Sequence, residues 1–230
     1  MAWKLLHFPN EKEVLSSSEN LITVHSTDLK GDFVILGTGF PIVSSSTSIL
    51  AITALHVIEE GYKKSLQASR TAKRGVMGFP GPSNLLYEQI GGWVRNTNDL
   101  KCSITIGKSI YVFNITGVCL RPPLDIAFMI IDASSIGEPI PVFAINSNPL
   151  TIGENVVVTS FVTSGNKRTL IGKVGEITAK SSTSRLVRAP HYATNIPIEK
   201  GASGGPVFRF QENFSGDKQV IGMISSDFSQ

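Results

Sequence analysis

The 230-residue sequence predicts an all-β protein made of two packed antiparallel β-barrels, each of the six-stranded type. Three observations carry the prediction. β-Branched and aromatic residues gather in period-two or continuous runs at 21–26, 32–43, 48–53, 103–106, 109–119, 125–131, 154–162, 168–179, 206–210 and 219–225. The chain is rich in Ser, Thr, Ile, Val and Gly, a composition suited to strands joined by tight turns. Few stretches carry the 3.6-residue apolar period that an amphipathic helix needs.

Taken in order, the runs from 21 to 131 form an N-terminal barrel (residues 1–144), and those from 154 onward form a C-terminal barrel (residues 145–230). The segment I-N-S-N-P-L at 145–150 is the expected linker, because Asn and Pro interrupt both strand and helix patterns there. A short helical turn is expected for A-L-H-V-I-E-E after Thr53. No internal repeat or low-complexity tract is present.

Three motifs then stand in order along this framework: T-A-L-H-V around His56, L-D-I-A around Asp125 and G-A-S-G-G-P around Ser203. The domain division puts His56 and Asp125 in the first barrel and Ser203 in the second, so the three would meet in the cleft between them. A serine hydroxyl is a poor nucleophile at neutral pH and needs an adjacent base. Imidazole titrates near neutrality, so His56 can take the Ser203 proton and return it to a leaving group. A carboxylate bonded to Nδ1–H fixes the tautomer that leaves Nε2 facing the serine, the role of Asp125. Gly201, Gly204 and Gly205 let the backbone bend around Ser203, so that the N–H groups of Gly201 and Ser203 converge as an oxyanion hole.

Each motif is weak alone: a glycine-rich turn and a histidine in an apolar run are both ordinary structural features. Their order is what discriminates. The G-x-S-x-G pattern around Ser203 also fits the nucleophile elbow of α/β-hydrolases, but those enzymes place the histidine after the serine. Here His7, His25, His56 and His191 all precede Ser203. His191 reads as a loop residue, and His7 and His25 have no carboxylate at motif spacing. Asp132 is a nearby alternative acid without the L-D-I-A context. Trp3 and Trp93 read as core or surface anchors.

On these residues the chain resembles the trypsin-like (chymotrypsin-fold) serine proteases over about residues 20 to 229, and is most similar to the bacterial HtrA-like branch. G-T-G-F-P-I-V at 37–43 resembles the strand before the histidine. T-N-I-P-I-E-K-G-A-S-G-G-P at 194–206 resembles the approach to the serine, and V-I-G-M-I-S at 220–225 the strand that pairs with substrate backbone. The resemblance implies a serine endopeptidase that cleaves protein or peptide substrates through an acyl-enzyme, without cofactor or metal. It also implies that Pro197 and Ile198 lie toward the base of the primary specificity pocket, with Ser225, Ser226 and Asp227 along one wall. A base without charge suits small or apolar residues; Asp227, if it faces the pocket, would instead attract Lys or Arg or obstruct it.

Three departures qualify the likeness. Ala202 stands where the digestive enzymes carry an aspartate that captures a new N-terminal amine, and no I-V-G-G-like start is present. Regulation, where it exists, would act through ordering of the Lys200–Ser203 loop by a substrate or partner. The chain stops at Gln230, before the strand that usually closes the second barrel, so either the pocket is built differently, an activating partner or second subunit supplies the strand, or the chain is a piece of something longer; an open β-edge would favour partner addition. No PDZ domain of the HtrA-like kind is expected within the 230 residues. The competing class is therefore a protease-fold binding or regulatory module, latent until a partner completes its site.

Composition sets the remaining bounds. A hydrophobic content of 41% with 17% charge is that of a globular chain rather than a disordered one. Two cysteines, Cys102 and Cys119, do not make a disulfide scaffold and read as buried thiols, which points to a reducing compartment. No apolar stretch of about 18 residues is present for a membrane span, and the N-terminus has too short an apolar run for a signal peptide. A cytoplasmic protein is expected. Net charge is +3, and the cluster Lys63, Lys64, Arg70, Lys73 and Arg74 reads as a solvated loop, not a nucleic-acid surface, since no aromatic stacking pattern accompanies it. The Gly/Pro-bearing stretch at 75–84 reads equally as a cleft-shaping insertion or as a surface excursion.

Overall fold

The computed structural model describes residues 20–27, 33–72, 94–95, 100–106, 109–121, 124–164, 167–181, 191–210 and 219–225. His7, Trp3, Trp93, Lys73, Arg74 and the 75–84 stretch lie outside the described residues.

Among the described residues, seven strands and one helix build the first half: β1 (Ile22–Thr27), β2 (Phe33–Ser44), β3 (Ser48–Ala54), α1 (Leu55–Ala72), β4 (Val94–Arg95), β5 (Lys101–Ile106), β6 (Ser109–Arg121) and β7 (Ile126–Asp132). The strands run in the order β4-β6-β5-β1-β2-β3-β7, and β6 pairs back onto β7. Six of them thus close into a barrel, with β4 added outside β6. Alternation along β7 buries Ala127, Met129 and Ile131 completely against Ile49, Ala51, Ile104 and Ile115. Truncating Met129 or Ile131 to alanine would cost about 2–5 kcal/mol.

Helix α1 is longer than the short turn the sequence suggested. Leu55, Ile58 and Tyr62 fall at i, i+3 and i+7, and all three are buried in the barrel cluster with Leu36 and Leu100. Gly61 makes the approach possible, since a Cβ there would lie 2.3 Å from Leu100 Cδ2. Lys63, Lys64 and Arg70 consequently sit on a helix rather than a loop, and Lys64 pairs with Glu60 one turn earlier at 3.0 Å.

The second half contains β8 (Ala144–Ile145), β9 (Asn155–Ser164), β10 (Lys167–Ser181), β11 (His191–Thr194), β12 (Pro206–Arg209) and β13 (Gln219–Met223), in the order β11-β10-β9-β12-β13-β8. This sheet is a half-barrel. Its edge at β13 is taken over Gln219 and Val220 by β8, which runs parallel to it, and Asn146 N–H continues the contact to Val220 O at 2.8 Å. The predicted linker is therefore stitched into the second sheet. Arg209 Nη2 holds its far end through the carbonyls of Asn148 and Pro149, and its Nε lies 3.1 Å from Glu154.

Between the halves lies a largely aromatic layer: Phe40 and Ile52 from one side, Val157, Phe161 and Phe208 from the other, and Phe143 from the segment that connects them. The Phe143 ring meets Phe40 edge-on at 6.1 Å and Phe208 at 5.8 Å. The whole is a chymotrypsin-like architecture, with one barrel closed and the other half formed. Both cysteines are free and buried, and burial raises the Cys102 thiol pKa well above its usual range. No described helix is long and apolar enough to cross a membrane, and no described cluster of His, Cys, Asp and Glu could hold a metal ion.

Candidate active site

Strand register decides where His56 and Asp125 go. Ala54, the last residue of β3, pairs with Ile126, the first of β7, so the residues just beyond each emerge together at one end of the barrel. Leu55 N–H donates to Asp125 O at 3.0 Å and fixes the start of α1 against the bend at Asp125. Asp125 sits at φ +50°, a left-handed conformation that aspartate tolerates better than most side chains.

The carboxylate thereby turns toward the histidine. Asp125 Oδ1 accepts from the His56 backbone N–H at 3.1 Å, and Oδ2 lies 3.0 Å from His56 Nδ1. Ser225 Oγ donates to Oδ2 at 2.5 Å. The Asp125 side chain is only 10% exposed, whereas that of His56 is 40% exposed, leaving the ring accessible to a reactant. Asp132, the alternative acid, is spent elsewhere: its carboxylate accepts from Ser134 Oγ and Ser134 N–H, which lower its pKa.

Ser203 arrives on two consecutive tight turns. Ala202 N–H bonds Glu199 O at 3.1 Å with Gly201 at φ +94°, and Gly205 N–H bonds Ala202 O at 2.9 Å with Gly204 at φ +85°. A negative φ followed by a positive one is the type II pattern, which glycine adopts without a Cβ clash. Among the described residues, neither the Gly201 nor the Ser203 N–H bonds to a protein acceptor. Gly204 is also sterically required, since a Cβ would stand 2.0 Å from Thr38 O and 2.5 Å from Thr53 Oγ1. The loop is tied to β13 by Gly204 N–H to Ile224 O and Ile224 N–H to Gly205 O.

The two halves meet at Thr38 of β2. Its N–H donates to Ser203 O at 2.8 Å, and its Oγ1 donates to Gly201 O at 2.9 Å while accepting from Phe161 N–H at 3.0 Å. Thr53 Oγ1 donates to Thr38 O at 2.7 Å. The sequence places G-T-G only as a strand and does not reveal these hydroxyls, whose partners lie far along the chain.

The expected pocket residues are placed unevenly. Pro197 is exposed and gives its carbonyl to Lys173 Nζ at 3.0 Å, Ile198 is half-buried, and Lys173 also pairs with Glu199 at 2.5 Å. The Ser225 hydroxyl is turned to Asp125. Ser226 and Asp227 lie outside the described residues, and His191 opens β11 rather than standing in a loop. Among the described residues, no hydrogen bond joins Ser203 Oγ to His56.

Comparison with solved structures finds this fold elsewhere at low sequence identity. An inactive serine-to-alanine mutant of Rv3671c from M. tuberculosis H37Rv is similar at TM-score 0.56 and 16% identity, covering 96% of this chain and 82% of that one. Deg5 is similar at 0.54 and 18%, covering 94% and 83%. The protease domain of MamO from Magnetospirillum magneticum, in its apo form, gives 0.52 and 12%, covering 89% and 82%. No curated protein sequence matches the chain. The family model of the trypsin-like peptidase domain matches residues 37–223, which include all three motifs, and the chain belongs to that family.

Proposed function

We propose that the protein is a serine endopeptidase with Ser203 as nucleophile, His56 as general base and acid, and Asp125 as the carboxylate that orients the ring. The observation that carries this reading is the His56–Asp125 pair, with Nδ1 occupied and the other ring nitrogen left for Ser203. Attack of Ser203 Oγ on a peptide carbonyl forms a tetrahedral adduct as His56 takes the hydroxyl proton. The N–H groups of Gly201 and Ser203, which have no protein acceptor among the described residues, receive the developing oxyanion. His56 then protonates the leaving amine, and water repeats the sequence to release the acyl group. No cofactor enters these steps.

Substrates are proteins or peptides. Small or apolar side chains suit the primary pocket, because Lys173, a cation beside Pro197 and Ile198, is already engaged by Pro197 O and Glu199. Two buried free thiols suit a reducing compartment, and we place the protein in the cytoplasm.

A second reading is favoured by the missing Ser203–His56 hydrogen bond: a regulatory or binding module whose site is completed by a partner at the C-terminal edge. A fluorophosphonate probe separates the two, since it needs an activated serine and an organised oxyanion hole but little substrate specificity. Labelling of the parent and not of Ser203→Ala supports the enzyme. Labelling of neither moves the conclusion to the module.

A further inference from the structure

Thr38 carries more of the site than its place in a strand suggests. It is fully buried, and every polar group it has is used. Its N–H and Oγ1 hold two alternate carbonyls of the nucleophile loop, those of Ser203 and Gly201, and its own carbonyl is held by Thr53. The same Oγ1 accepts the Phe161 N–H, so the hydroxyl proton has one direction left, toward Gly201 O.

That carbonyl matters because of the turn beside it. Types I and II differ by a flip of the central peptide, here Lys200–Gly201, and the flip reverses the Gly201 N–H. A donor aimed away from the developing oxyanion contributes nothing to its stabilisation. The Gly201–Ala202 peptide is adjacent, and fixing its carbonyl restrains ψ of Gly201 and, through the tight turn, the peptide before it. Gly201 itself supplies no restraint, having φ +94° but no side chain.

We propose that Thr38 is a positioning residue for the oxyanion hole: its hydroxyl, anchored by Phe161, holds the Gly201 carbonyl so that the Gly201 N–H faces the developing oxyanion. This rests on the peptidase reading given above. The residue lies in the first barrel and the donors in the second half, so Thr38 also makes the oxyanion geometry depend on how the two halves are docked.

The test uses the full chain as parent, Thr38→Val, which removes the hydroxyl at constant shape, and Thr38→Ser, which keeps it. Two readouts are taken: the saturating rate and half-saturating concentration of fluorophosphonate labelling, and the Gly201 carbonyl 13C shift by NMR. The expected result is a fall of about 10-fold or more in the saturating rate of Thr38→Val, with the half-saturating concentration little changed, and recovery to within about threefold in Thr38→Ser. The Gly201 carbonyl signal moves upfield in Thr38→Val alone. Labelling of Thr38→Val at the parental rate, or equal losses in both variants, overturns the proposal. Where Thr38→Val fails to melt cooperatively, Thr38→Cys, a weak donor, takes its place: slow labelling supports the proposal and parental labelling overturns it. A parent that does not label sinks the peptidase reading instead, and the Gly201 shift then decides alone whether Thr38 holds the turn.

Discussion

Ser225 Oγ stands 2.5 Å from Asp125 Oδ2, on the same oxygen that lies 3.0 Å from His56 Nδ1. Ser225 follows β13 of the second half, and Asp125 precedes β7 of the first, so one carboxylate collects contacts from both sides of the cleft. With the His56 backbone N–H on Oδ1, it cannot rotate without losing a bond. Two variants grade this arrangement. Asp125→Asn keeps the shape but presents an amide to Nδ1 and favours the wrong tautomer, so turnover or probe labelling is expected to fall by about 10⁴. Ser225→Ala removes one donor and leaves the imidazole contact, so a smaller fall of about 10- to 150-fold is expected, the worth of one hydrogen bond to a charged group. Equal losses in the two would mean that Ser225 does more than brace the carboxylate.

The two positive-φ glycines around Ser203 separate stability from activity. Gly204→Ala would drive a Cβ to 2.0 Å from the Thr38 carbonyl oxygen, a backbone atom that cannot swing aside, in a left-handed conformation. The expected cost is about 4 kcal/mol or more, read as loss of the cooperative melt or insolubility. At Gly201 the penalty is conformational: alanine at φ +94° costs about 1–3 kcal/mol and biases the turn toward the flipped peptide. Gly201→Ala is thus expected to fold, with probe labelling down by about 10²-fold. A folded and fully labelled Gly201→Ala would remove Gly201 from the oxyanion hole.

Much of this was legible in the chain itself, for a physical reason. The ten β-branched runs correspond to ten strands, within two or three residues at their ends, because alternation registers directly which face meets a core. The strands that escaped, β4, β8 and β11, have two, two and four residues, too few for a period to show. The length of α1 was missed because its apolar face is interrupted by Gly61, which propensity penalises but close packing on Leu36 and Leu100 requires. The three motif residues could be named, and the register Ala54↔Ile126 explains why His56 and Asp125 meet. Thr38 and Lys173 could not be found, because their roles arise from contacts across long separations that no local pattern encodes.

Lys173 and Glu199 brace the approach to Ser203 from its exposed side, as Thr38 does from within. The ammonium also takes the Pro197 carbonyl, so it restrains both ends of the segment 197–199. Its side chain is 25% exposed and that of Glu199 52%, so the pair adds only a few tenths of a kcal/mol, up to about 1, to overall stability. Its influence is expected in substrate binding instead. Lys173→Met should leave the melting temperature within a few degrees of the parent while raising KM for peptide substrates several-fold, and Glu199→Gln should act in the same direction more weakly. Added salt should narrow the difference between parent and Lys173→Met. A salt-independent difference would assign the effect to the Pro197 carbonyl alone.

Tyr62 offers a stability prediction with a defined pH window. Its ring is buried in the first barrel, its hydroxyl has no partner among the described residues, and burial raises its pKa from 10.0 to about 12. In the unfolded chain the phenol ionises around its ordinary value, while in the folded chain it stays protonated, so the folded state binds the extra proton between pH 10 and 12. The stabilisation is complete below pH 10 and is lost as pH rises toward 12, a decline on the order of 2 kcal/mol. Tyr62→Phe keeps the ring, removes the unpartnered oxygen and abolishes the titration. It is therefore expected to be as stable as the parent or up to about 1 kcal/mol more so at neutral pH, and to retain that stability better in alkali. Denaturant unfolding at pH 7 and pH 11 checks both arms. A parent that is no more pH-sensitive than Tyr62→Phe would mean that the barrel opens to solvate Tyr62 without unfolding.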